Sequence, residues 1–83
     1  MGEPSNLFEV YGVSGPEAQH RVVKALRRKP YLEVETDERD GSCFVLVLCD
    51  RPSRAHRIFN KVTSIDDGAI LVLATADPQP TAA

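Results

Sequence analysis

The sequence predicts an α+β fold: a two-layer sandwich of order β-α-β-β-α-β, with a four-stranded antiparallel sheet and both helices on one face. Three observations predict it. Two segments with apolar residues at helical spacing, 18–26 and 55–65, separate four segments that read as strands. Asp40-Gly41 between the middle two strands is the strongest short hairpin signal the chain contains. At 83 residues there is room for one domain, and right-handed crossovers leave this element order few other solutions.

Residues 1–6 are polar, with Gly and Pro, and are expected to be a flexible arm ahead of a domain spanning 7–76. Residues 7–13 (LFEVYGV) read as a strand, with Phe8 and Val10 on one face, Glu9 and Tyr11 on the other. Phe8 is expected to face the helices. Ser14-Gly15-Pro16-Glu17 matches a capping box. The helix it opens carries Ala18, Val22, Val23, Ala25 and Leu26 on its apolar stripe, and Pro30 stops it.

Residues 31–38 alternate, placing Leu32, Val34 and Thr36 against Tyr31, Glu33, Glu35 and Asp37. With the turn centred on Asp40-Gly41, Arg39 faces Ser42, Val34 lies beside Val47, and Thr36 beside Val45. Phe44, Leu46 and Leu48 take the opposite face, so residues 43–49 suit a central strand. Asp50 is positioned to cap the second helix, with Pro52 in its first turn and Ala55, Ile58, Phe59, Val62 and Ile65 on its buried stripe. Asp66-Asp67-Gly68 turns the chain into a last strand, 69–76, apolar on both faces, and 77–83 is expected to be a disordered tail. The whole is the ferredoxin-like sandwich, with spatial strand order 4-1-3-2.

Composition is that of a globular protein, 42% hydrophobic and 27% charged. The run at 69–76 falls far short of the roughly 20 residues that span a bilayer, so no membrane role is expected. No basic stretch followed by an apolar core opens the chain, which makes the cytoplasm the default location. Cys43 and Cys49 share a strand and stand on the order of 20 Å apart, too far to bridge, and read as packed thiols.

The net charge of −2 conceals a segregation. Every Lys and Arg except Arg39 falls on or beside the two helices, while Glu33, Glu35, Asp37, Glu38, Asp40, Asp66 and Asp67 lie on an edge strand or in turns. Arg21, Lys24, Arg27, Arg28, Arg54, Arg57 and Lys61 are therefore the candidate anion contacts, facing a polyanion or an acidic protein surface. The pI of 5.6 argues against a dedicated nucleic-acid binder. The sheet face away from the helices supplies the candidate interface: Tyr11, Phe44, Leu46, Leu48, Leu71 and Leu73.

No catalytic, cofactor or metal constellation emerges, and the chain is expected not to be an enzyme. His20 and His56 fall off the centre of their apolar stripes. Each serine has a turn or cap explanation, and Asp66-Asp67 lacks further ligands for a hard cation.

Residues 10–34 resemble heavy-metal-associated, copper-chaperone-like domains through Gly12-Val13-Ser14-Gly15-Pro16-Glu17-Ala18 followed by Val22, Val23 and Leu26. Gly15 and Ala18 stand where those domains carry two cysteines, so the resemblance implies the fold without its soft-metal ligands. Gly41-Ser42-Cys43-Phe44-Val45 is similar to the central strand of RNA-recognition motifs. Only Phe44 supplies a stacking aromatic there. The Gly12–Gly15 loop resembles the ligand loop of amino-acid-binding regulatory domains. These features imply a small non-enzymatic interaction or regulatory module, dimerising through its open sheet face. Nucleic-acid binding through the basic helices and small-ligand sensing are the alternatives.

Overall fold

The structure, a computed structural model, describes the backbone of residues 4–78 and the side chains of 6–75. Its elements are β1 (Pro4–Val13), α1 (Pro16–Leu26), β2 (Leu32–Arg39), β3 (Ser42–Cys49), α2 (Ala55–Ile65) and β4 (Ile70–Pro78), with a 3₁₀ turn at Pro52–Arg54 leading into α2. The four strands form one antiparallel sheet in the order β2-β3-β1-β4, the predicted order read from the other edge. Strand pairing reaches beyond the expected 7–76 bounds, since Pro4 pairs with Pro78 and Asn6 with Asp77. The remainder of the expected arm and tail, 1–3 and 79–83, lies outside the described residues.

The hairpin follows its sequence signal. Asp40 and Gly41 both take positive φ, 52° and 80°, as a two-residue turn matched to strand twist demands. Arg39 pairs with Ser42, Thr36 with Val45 and Val34 with Val47. On the helix side, Leu7, Tyr11, Leu32, Val34, Val45, Val47 and Cys49 pack with Val22, Val23 and Leu26 of α1 and Ile58 and Val62 of α2. A buried Gln19 on α1 donates to the carbonyls of Phe44 (2.9 Å) and Asp37 (3.3 Å), pinning the helix to the hairpin backbone.

Both expected caps are replaced by other contacts. Gly15 is the N-cap of α1 and makes no side-chain cap; the Ser14 hydroxyl donates instead to Asp66 Oδ1 at 2.6 Å, and the Ser14 amide to Oδ2 at 2.8 Å. The Gly68 amide also donates to Oδ1, so one carboxylate ties the β1–α1 loop to the α2–β4 loop. These donors hold the Asp66 carboxyl below its usual pKa, the Ser14 hydroxyl first among them. A Cβ on Gly68 would stand 2.8 Å from Ser14 Oγ, so glycine permits this close approach. Asp50 caps nothing: it accepts from Arg54 Nε at 3.0 Å while the chain enters α2 through the 3₁₀ turn. Because α1 ends at Leu26, Arg27, Arg28 and Lys29 lie in the turns beyond it.

Candidate functional site

Strict alternation along β3 turns Cys43, Val45, Val47 and Cys49 toward the helices and leaves Phe44, Leu46 and Leu48 half-buried on the open face. Register carries that face across the sheet. On β1, Phe8 pairs with Leu48, Val10 with Leu46 and Gly12 with Phe44. On β2, Glu33, Glu35 and Asp37 pair with Leu48, Leu46 and Phe44, so an acidic row borders the apolar one.

Tyr11 does not belong to this face. It pairs with Val45, is fully buried on the helix side, and lies 6.5 Å from Phe59 of α2, centroid to centroid. Its hydroxyl donates to Glu9 Oε1 at 2.6 Å, and Glu9 is only 2% exposed. The expected orientation of β1 is thus reversed, and Phe8 and Val10 face outward. The physical reason is that a polar pair can be buried when it satisfies itself, which alternation of single residues does not reveal. Burial pushes the Glu9 carboxyl up, the Tyr11 hydrogen bond partly offsetting this, and pushes the Tyr11 phenol up as well.

A bulge opposite Val10–Tyr11 splits the remaining two candidates. Leu73 pairs with Val10 on the open face, whereas Leu71 pairs with Tyr11 on the helix side. Val72 is the extra residue. A Cβ on Gly12 would meet Ile70 Cγ1 at 3.4 Å, Val72 Cγ2 at 3.5 Å and the Phe44 ring at 3.8 Å, so Gly12 lets these three side chains converge on the open face. Four consecutive residues of an edge strand, Ile70, Leu71, Val72 and Leu73, are consequently 39–64% exposed. On the helix side, Phe59, whose ring centroid lies 6.5 Å from that of Tyr11, is exposed at 39%. Apolar surface therefore wraps around the β4 edge from one face of the sheet to the other. Phe8, Val10, Ile70 and Val72 were missed in the sequence because their face depends on the reversal of β1 and on the bulge.

The candidate anion contacts separate into groups. Arg54, Arg57 and Lys61 line a cavity of about 180 Å³ with Lys29, Tyr31, Leu26, Leu32 and Ile58. Arg21, Lys24 and Arg28 line a different groove with Ser64 and Ile65. Arg27 joins neither, since its Nη2 donates to the Val34 carbonyl on the edge of β2 at 3.1 Å. Lys29 and Tyr31 were absent from the sequence-based set, since Lys29 read as a helix end and Tyr31 as the first residue of the alternating strand.

Both cysteines are free and buried, and Cys49 Sγ lies 3.5 Å from Asp50 Oδ1 and from the Arg51 carbonyl. No helix among the described residues is long and apolar enough to cross a membrane.

No family model and no curated protein matches this chain. Among solved structures it is similar to one described as "De novo designed protein Foldit4", at 20% identity and a TM-score of 0.53, over 84% of this chain and 94% of that one. At that identity the likeness bears on the fold alone, a small α+β sandwich, and brings no residue role with it.

Proposed function

We propose that this chain is a small, non-catalytic interaction module that self-associates by pairing the exposed β4 edge of its sheet. The observation that carries the reading is the exposed run Ile70–Leu73 on an edge strand. Edge strands are ordinarily blunted by charge, proline or cover, because their free N–H and C=O groups recruit other strands. Residues 69–76 contain no charge and no proline. A second copy fits this edge well: between Asp67 and Asp77 antiparallel self-pairing brings no like charges together. The twofold axis of such a pair runs perpendicular to the sheet, leaving both helical layers on the same face. Phe59 and Leu71 of each copy then flank the seam, where their burial adds to the strand pairing.

In this reading the chain keeps only the scaffold of heavy-metal-associated domains, and it works in the cytoplasm with both buried thiols reduced. Nucleic-acid binding has less support, because the helical cations split into two groups and Arg27 is engaged by the backbone of β2.

Sedimentation equilibrium tests the proposal. The expected mass is twice the 9.1 kDa of one chain, reverting to a single chain in Leu71→Lys/Leu73→Lys with its circular dichroism unchanged. A wild-type chain that stays monomeric at high micromolar concentration would rule the reading out.

A further inference from the structure

The cavity at the junction of α1, β2 and α2 has the chemistry of a ligand site distinct from the sheet. Its floor is apolar, formed by Leu26, Leu32 and Ile58, with the Tyr31 ring beside them. Four cations, Lys29, Arg54, Arg57 and Lys61, complete the lining, which contains no carboxylate. Such a grouping works against folding. Arg57 and Lys61 are one helical turn apart, where like charges repel, and the segment 55–65 carries no acidic residue to relieve them. Only Arg54 of the four has an ion-pair partner among the described residues, Asp50.

Arg54 is held in place from two sides. Its Nε donates to Asp50 at 3.0 Å, and its guanidinium carbon lies 3.8 Å from the centroid of the Tyr31 ring. Neither terminal nitrogen has a hydrogen-bond partner among the described residues, leaving the fork free for two parallel bonds to an anion. Arg54 and Arg57 also line an adjoining cavity with Arg51 and Ser53, so a group lodged between them meets cations from both sides.

We propose that this cavity binds a compact phosphomonoester. The dianionic head sits between Arg54 and Arg57 with Lys29 and Lys61 at the rim, and a short apolar or aromatic body rests on Leu26, Leu32, Ile58 and Tyr31. The doubly charged head suits three cations without an ion-pair partner among the described residues, beside the Asp50-paired Arg54, better than a carboxylate does. The volume of about 180 Å³ corresponds to roughly six waters, enough for a phosphate and a small organic group. Because the site opens beside β2, the edge opposite β4, it stands or falls independently of self-association.

An NMR titration of the isotopically labelled full chain with phenyl phosphate tests this, with inorganic phosphate, benzoate and a single-stranded oligonucleotide as comparison probes. Phenyl phosphate is expected to saturate with shifts centred on Tyr31, Leu32, Arg54 and Ile58, and to bind more tightly than inorganic phosphate or benzoate. Arg57→Gln/Lys61→Gln, exposed positions whose loss spares the core, should weaken it about tenfold, while Arg21→Gln/Lys24→Gln leaves it unchanged. Three results would each overturn the proposal: no saturation, equal weakening by the two double variants, or tighter binding of the oligonucleotide across both basic groups.

Discussion

The two halves of the sheet solve the same problem differently. In the β2–β3 half, a tight turn sets a continuous register, acids line the outer edge, and Arg27 occupies a carbonyl there. In the β1–β4 half, a bulge breaks the register, a carboxyl–phenol pair is buried beneath the helices, and the outer edge carries four exposed apolar residues in a row. One edge carries the charge that discourages further pairing, and the other carries none along Ile70–Leu73. An edge strand is therefore not intrinsically an interface; what its side chains present on each face decides it.

The largest effect separating the halves should come from Tyr11→Ala. It removes a fully buried aromatic and leaves Glu9 without its donor, costing about 3–5 kcal/mol in urea unfolding. Phe44→Ala, half-buried on the open face opposite Gly12, should cost less than half as much. Equal losses from the two substitutions would erase the distinction between the covered and open faces.

A smaller effect concerns pH. Burial raises the Glu9 carboxyl in the folded state, so the native chain binds this proton more tightly than the unfolded one. The stability Glu9 contributes is full below its ordinary value of 4.5 and is lost as pH rises through the raised folded value. Asp66 runs oppositely: lowered by Ser14 and Gly68, it contributes above its ordinary value of 3.8 and loses that contribution as pH falls through the lowered one. Glu9→Gln keeps an acceptor for Tyr11 and removes the buried charge. It should stabilise the fold at neutral pH and flatten the fall in stability above pH 4.5, with little gain near pH 4. A neutral-pH loss of stability in this variant would show that the carboxylate itself is needed.

The smallest effect belongs to the protected edge. Arg39 and Asp37 form an ion pair at 3.2 Å with the Arg39 side chain 78% exposed, and Arg39→Ala should shift stability by no more than about 0.5 kcal/mol. A larger cost would mean that the acidic row does more than remain solvated.

Legibility in the sequence followed the range of the interactions. Asp40-Gly41, the alternation of 32–38 and the helical spacing of Val22 and Leu26 all act between near neighbours, and the elements they imply are present with the expected hairpin register. Ser14 and Asp50 carried good local capping signals, but Asp66 and Arg54 offered each a better partner once the loops met. Of the candidate interface, Phe44, Leu46, Leu48 and Leu73 lie on the open face, while Tyr11 and Leu71 point to the helix side. The candidate cations were all visible as residues; which of them share a cavity was not.

By itself the sequence determined the order of elements, the hairpin and the sandwich, because hydrophobic periodicity and turn chemistry are written in consecutive residues. Only the tertiary structure decided which face of β1 is buried, where β4 bulges, and that Lys29 and Tyr31 join Arg54 and Arg57. Those outcomes depend on contacts between segments distant in the chain, where a buried Glu9 is tolerable only because Tyr11 supplies its hydrogen bond.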